Sequence, residues 1–153
     1  MHTKILLPAP EIIPFDELDL HTLYDVLHLR AQVFVVEQEC AYQDVDYWDL
    51  QSLHVILRRP RRPAAYARII LPGDGNKIYI GRVLTHPAYR RQGLATYLLQ
   101  FILDYIHQNY PSFPVLLSAQ TYLTGFYERM GFRKLGNEYM EDGIPHIKMI
   151  LKK

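Results

Sequence analysis

The chain has 153 residues, 49% hydrophobic by type and 22% charged, with 17 basic side chains against 16 acidic ones. A chain of this size buries roughly 70% of the surface its unfolded form exposes, enough for one domain over residues 1–153 without a disulfide or metal staple. The near-neutral charge argues against a protein held to nucleic acid by bulk electrostatics, and no apolar run approaches the roughly 20 residues of a membrane span. Cys40 is the lone cysteine and cannot form an internal disulfide. Met1-His2-Thr3-Lys4, followed by Pro8 and Pro10, lacks the apolar stretch of a secretion signal, so a reduced, soluble, cytoplasmic protein is expected.

Leu20, Leu23, Val26, Leu27, Val33 and Phe34 recur at helical spacing, interrupted by Arg30, and predict a helix reaching Val36 that Asp16 or Asp19 can cap. Glu37 to Gln51 has no clean period and is long for a connection, the kind of segment that often carries function. Ser52 to Arg59 and Ala64 to Leu71 are β-rich runs around Pro60-Arg61-Arg62-Pro63. Ile78 to Thr85 follows a second turn, Pro72-Gly73-Asp74-Gly75-Asn76, whose glycines suit positive φ, and completes an antiparallel meander. Leu94, Tyr97, Leu98, Phe101, Ile102 and Tyr105 then form one apolar stripe, predicting an amphipathic helix over Gly93 to Asn109 that ends before Pro111. Val115 to Ala119 reads as a strand, Thr121 to Met130 as a helix stopped at Gly131, and Phe132 to Tyr139 and His146 to Leu151 as strands around Asp142-Gly143. With a strand ahead of the first helix, the order β-α-β-β-β-α-β-α-β-β belongs to the α+β class, a mostly antiparallel sheet flanked by helices.

Arg90-Arg91-Gln92-Gly93-Leu94-Ala95 lies between a strand and a helix start, where free amides and the helix dipole attract phosphate. Gly93 and Ala95 have almost no side chain to keep a ligand from the backbone. Neither common nucleotide-loop string occurs in the chain, and on these six residues alone an unliganded tight turn is an equal alternative. The whole stretch from Val83 to Thr96, however, resembles the acetyl-coenzyme A signature of the GNAT N-acetyltransferases, with Arg90, Gly93 and Ala95 matching its Arg/Gln-x-x-Gly-x-Gly/Ala core. Downstream, Phe126-Tyr127-Glu128-Arg129-Met130-Gly131-Phe132 resembles the family's aromatic-Tyr-x-x-x-Gly-Phe segment, and Gln120 stands seven before Tyr127, where the family more often has Asn. Val33 to Gln38, Tyr42 to Asp46, Ala119-Gln120 and Glu141 to His146 resemble the ElaA subfamily, so the likeness covers nearly the whole chain.

This resemblance implies a GNAT-like fold with a mixed, mostly antiparallel central sheet, acetyl-CoA as cosubstrate, no metal, and direct acetyl transfer to a primary amine on a small molecule or peptide. Arg90 and the turn residues Arg91, Gln92, Gly93, Leu94, Ala95 and Thr96 would hold the pyrophosphate, their amides cradling it. The backbone of Val83, Leu84 and Thr85 would pair with the pantetheine arm, an N–H near Leu84 facing the thioester oxygen. Gln120 and Phe126 join the cofactor side, and Tyr127 is the implied general acid for the departing sulfur; without the motif it would read as a core tyrosine. Many members carry a glutamate on the strand before the phosphate turn, where this chain has Arg82. Glu37, Asp44, Asp46, His54 and His146 are the titratable residues from which the catalytic base could come, Glu37 and His54 foremost, although a satisfied structural histidine is the default account of a His on a buried strand face.

The Glu37 to Asp49 loop and the Asp142 to His146 turn are expected to line the acceptor pocket. Asp44 and Asp46 there would draw in a cationic amine, beside Arg82 and His146. Pairing through the C-terminal strands into a homodimer is a further implication, and neither nucleic acid nor membrane is expected as a partner. Asp44-x-Asp46 lacks the glycine and bidentate glutamate of a calcium loop, no zinc string occurs, and none of the serines lies in Gly-x-Ser-x-Gly. Cys40 reads as a small filler, and Arg58, Arg59, Arg61 and Arg62 read as a solvated turn. The alternative function is a noncatalytic acyl-CoA sensor.

Overall fold

The computed structural model describes residues 7–73 and 75–153, so the Met1–Lys4 segment and Asp74 of the second turn lie outside the described residues. The first strand, β1, spans Glu11–Pro14. Helix α1 spans Leu20–Arg30 and is capped by Asp19, which accepts at 2.8 Å from both the Thr22 amide and the Thr22 hydroxyl. The α ladder does not run on to Val36 as its periodicity predicts. Ala31–Glu37 is wound as a π-helix, where three β-branched valines, Val33, Val35 and Val36, crowd a tighter turn.

Strands β2 (Ser52–Arg58), β3 (Pro63–Ile70) and β4 (Ile78–Thr85) form the expected meander, with Gly73 of the intervening turn at φ +46°. Helix α2 spans Leu94–Asn109, β5 Val115–Gln120, α3 Thr124–Arg129, β6 Phe132–Glu141 and β7 Ile144–Leu151. The helix expected from Thr121 to Met130 is divided: a 3-10 turn over Thr121–Leu123 precedes α3, and Gly131 ends it at φ +104°. The seven strands lie in the order β1-β2-β3-β4-β5-β7-β6, antiparallel throughout except for the β4–β5 pair, the mixed sheet that the family resemblance implies. Pro14 is tolerated because β1 is an edge.

Both faces of the sheet are covered, which explains why β2 and β3 are apolar almost continuously rather than alternating. On one face Leu98, Leu99, Ile102 and Ile106 of α2 pack with Val55, Leu57, Ala67, Ile69 and Ile80; each such aliphatic side chain contributes about 1.5–3 kcal/mol by leaving water. On the other, Val26, Leu29 and Val33 pack on Ile56, Tyr66 and Leu84. Leu84 can join this second face only because β4 carries an extra residue. The β3 register runs Arg68 to Gly81 and then Tyr66 to Leu84, and the bulge leaves Arg82 at φ +52°.

The parallel pair β4–β5 is short. Ile78 meets Val115 and Tyr79 meets Leu116, and beyond them the strands no longer pair. From Ile80 to Thr85, β4 is bonded on its β3 side only, leaving the backbone edge toward β5 open. Among the described residues no helix is long and apolar enough to cross a membrane.

Candidate active site

The carboxyl ends of two adjacent parallel strands are where open α/β sheets hold ligands, and here they diverge. At the end of β4 the chain makes a 3-10 turn, Pro87–Tyr89, and enters α2 through Gly93 at φ +76°. The first ladder bond of α2 runs from the Tyr97 amide to the Gly93 carbonyl at 3.0 Å, and no side chain caps the helix start. The amides of Gly93, Leu94, Ala95 and Thr96 therefore have no intrahelical partner. A Cβ built on Gly93 would meet nothing within 4 Å, so the approach is open. Leu94 sends its side chain into the core and offers only its backbone here.

Arg90 is engaged from an unexpected side. Its Nη1 and Nη2 donate to Glu37 Oε1 and Oε2 at 2.5 and 2.9 Å. That bidentate pair fixes the end of the π-helix to the turn before α2 and holds the Glu37 carboxyl below the usual carboxylate range. Glu37 is thus a weakly basic, ion-paired carboxylate, in contrast to the catalytic base expected of it.

Tyr127 lies on α3, buried, with its ring edge-on to Phe126 and Phe132 at 5.0 and 6.1 Å between centroids. Burial, with Tyr122 adding to it, pushes the phenol up to about 12, so the hydroxyl is protonated throughout the physiological range. Gln120 ends β5 and donates from Nε2 to Gln38 Oε1 at 3.1 Å.

The expected acceptor-side carboxylates belong to a buried ionic cluster. Arg30, fully buried, donates from Nε to Asp44 Oδ2 at 2.9 Å, from Nη1 to Asp49 Oδ1 at 2.7 Å, and from Nη2 to the Asp44 carbonyl at 2.9 Å. Arg68 binds Asp46 through two bonds of 2.7 and 2.6 Å and Asp49 through a third of 2.9 Å. Arg82 reaches from the β4 bulge, with Nε 2.8 Å from Asp44 Oδ1 and Nη2 3.2 Å from Asp46 Oδ2. The Tyr42 hydroxyl completes Asp44 at 2.9 Å. Three arginines thus neutralise three aspartates, and the pull on a cationic amine anticipated for Asp44 and Asp46 is already met by guanidinium groups. Burial alone would raise the Asp46 and Asp49 carboxyls, but hydrogen bonds from Arg68 and Arg30 outweigh it and hold both low.

His54 has no free face. Its Nε2 must donate to the Asp49 carbonyl at 3.0 Å, so Nδ1 accepts from the Tyr66 hydroxyl at 2.7 Å. Burial lowers its pKa, leaving a neutral, satisfied ring inside the core rather than the catalytic group expected. His146 lies on β7 opposite Gln120, its Nδ1 donating to the Ile144 carbonyl at 2.7 Å and its ring stacked on Tyr139. Cys40 donates to the Asp142 carbonyl at 3.2 Å, which brings the loop after the π-helix against the β6–β7 turn.

Residues 23–153 match the family model described as an acetyltransferase (GNAT) domain. The chain belongs to the GNAT acetyltransferase family. Escherichia coli ElaA is 40% identical over 136 residues, covering 87% of this chain and 89% of that protein, and a UPF0039 protein of Schizosaccharomyces pombe is 41% identical over 140 residues, covering 90% and 93%. Among solved structures, an acyl-CoA N-acyltransferase from Pseudomonas aeruginosa superposes with a TM-score of 0.90 at 38% identity, and E. coli ElaA with 0.90 at 36%. Each covers 96% of this chain and 100% of the other. The family assigns acyl transfer from acyl-CoA to an acceptor, and the uncapped α2 start beside an open strand edge suits such a donor.

Sequence reasoning missed the GNAT chain's Arg30–Arg68–Asp49 core. Its signal was legible in principle: Arg30 interrupts the apolar stripe of α1, and Arg68 sits inside the apolar run of β3. A charge in such a place requires a buried partner.

Proposed function

We propose that this GNAT chain is an N-acetyltransferase that moves the acetyl group of acetyl-CoA directly to a primary amine. The observation that carries the reading is the gap between β4 and β5, which opens beside the uncapped amides of α2. In this reading the amides of Gly93 to Thr96, with Arg91 and Gln92 beside them, hold the pyrophosphate. The open edge of Val83 to Thr85 pairs with the pantetheine arm, and an N–H near Leu84 donates to the thioester oxygen as negative charge grows on it.

The amine nitrogen bonds to the thioester carbon, the carbon–sulfur bond breaks with its electron pair on sulfur, and Tyr127 donates a hydrogen bond and then a proton to that sulfur, regaining a proton from water before the next turnover. The proton lost by the amine passes to water, since Glu37 is held by Arg90 and His54 is enclosed. Arg82 acts as a positioning residue, fixing the bulge of β4 to the loop that carries Asp44 and Asp46. Phe126, Gln120 and His146 border the far side of the gap.

The test is CoA release from acetyl-CoA, followed with a thiol-reactive dye, over a panel of amines, with Gly93→Glu as control. Glutamate there fills the open approach and repels the pyrophosphate. Amine-dependent release by the native protein and not by the variant supports the reading. Acetyl-CoA binding with no release for any amine replaces it with the sensor.

A further inference from the structure

A cleft of about 370 Å³ lies on the α1 face of the sheet, between α1, the β2–β3 turn and the Pro87–Tyr89 turn. Arg59, Arg61, Arg62, His86 and Tyr89 line it, and Asp25 is the acidic side chain among its walls. The four-arginine turn that sequence alone casts as solvent-facing proves to be divided. Arg58 is occupied, donating to Glu11 at 2.8 Å and to Thr22 at 3.0 Å. Arg59, Arg61 and Arg62 have no carboxylate within ion-pair distance among the described residues. Three guanidinium groups therefore face one aspartate.

The cleft abuts the phosphate turn. Arg59 donates from Nη1 to Gln92 Oε1 at 2.6 Å, its guanidinium lies 5.6 Å from the centre of the Tyr89 ring, and the Tyr89 hydroxyl donates back to the Arg59 carbonyl at 3.2 Å. His86 and Tyr89 supply flat rings 5.6 Å apart. With Arg90 already neutralised by Glu37, the uncompensated positive charge beside the turn comes from the β2–β3 side and from Arg91. We infer that this cleft is the site for the 3′-phosphate of the donor, with Arg61 and Arg62 taking the phosphate monoester and the edge of the packed Tyr89–His86 pair beside the adenosine.

The assignment rests on the acyl-CoA reading above. It differs from that reading in asking which part of CoA is bound, and where. Guanidinium groups suit a phosphate dianion through paired N–H donors, and a nucleotide held by its pyrophosphate at Gly93 carries its ribose phosphate away from the helix start.

Calorimetric titration of the full chain with CoA and with 3′-dephospho-CoA tests it. The native protein is expected to prefer CoA by about tenfold or more, the scale of one charge-assisted contact. The double variant Arg61→Ala/Arg62→Ala should bind the two ligands alike. Both side chains are exposed and only their carbonyls hold the turn, through Arg58 Nη1 and the Arg59 amide, so the fold is spared. Asp25→Asn, which removes the opposing charge, should widen the native preference. Equal binding by the native protein, or a preference that survives the double variant, overturns the assignment. Failure of the native protein to bind either ligand overturns the acyl-CoA reading as well.

Discussion

Replacing Arg30 with methionine keeps much of the side-chain volume and removes a charge from the centre of the ionic cluster. Three charge-assisted bonds of 2.7–2.9 Å disappear, leaving two arginines to face three carboxylates. Asp44 retains the Tyr42 hydroxyl and Arg82, and Asp49 retains Arg68, while Asp49 Oδ2 has no partner even in the native protein. Removing one member of a buried pair costs about 3–5 kcal/mol, and the surviving partners place Arg30→Met toward the lower end. At 153 residues, each kcal/mol moves the melting temperature by roughly 2–4 °C, so the variant should melt about 6–12 °C lower. Urea titration with parallel scanning calorimetry reads both quantities. Glu37→Gln is the internal control: its pair with Arg90 is 41% exposed on each side, and such surface pairs contribute about 0–1 kcal/mol. A loss below about 1 kcal/mol for Arg30→Met, or equal losses for the two variants, refutes the view that the buried cluster anchors the loop.

Tyr127→Phe keeps the ring contacts with Phe126 and Phe132 and deletes the proton donor, so turnover should fall by about a hundredfold or more while the donor dissociation constant changes little. Unchanged turnover would move protonation of the thiolate to solvent. Stability should also respond to acid in two steps. His54 is held neutral by burial, so the unfolded chain takes up its proton first; stability is complete above about pH 6.5 and declines as pH falls below it. Asp46 and Asp49 are held low by their arginines, so their contribution is complete above about pH 4 and is lost as pH falls through their depressed values. Urea-derived stabilities from pH 8 to 3 check both steps, and the first should vanish in His54→Gln; its persistence there would assign it to another group.

The elements that the sequence predicts well are those in which a period of two or 3.6 is set by a nearby core face. The α2 stripe and the β2–β4 meander are examples, and the open turn before α2 was legible because Gly93 and Ala95 have almost no side chain to cover its free amides. The π-helix was hidden because its apolar spacing imitates an α-helix until the valines crowd it. The roles of Glu37, Asp44 and Asp46 were hidden for another reason. Their partners are Arg90, Arg30, Arg68 and Arg82, between 14 and 53 residues away, and ion pairing has no sequence period. A carboxylate in an irregular loop looks the same whether it faces a substrate amine or a guanidinium.

The loop after the π-helix is tied at successive residues to different borders of the gap between β4 and β5. Glu37 holds the turn before α2 through Arg90, Gln38 holds the end of β5 through Gln120, Cys40 holds the β6–β7 turn through the Asp142 carbonyl, and Asp44 and Asp46 hold the β4 bulge through Arg82. These ties are graded. The Glu37 and Cys40 contacts are exposed, whereas the Asp44 and Asp49 contacts are buried among full charges. Exposed contacts contribute little to the global free energy, so a substitution at Glu37 or Cys40 acts on the local position of the loop over the gap. A substitution at Asp44 or Asp49 withdraws a buried counter-charge and acts on the whole fold. Kinetic changes at Asp44 therefore bear on the gap between β4 and β5 only after its loss of stability has been subtracted, while kinetic changes at Cys40 bear on it directly.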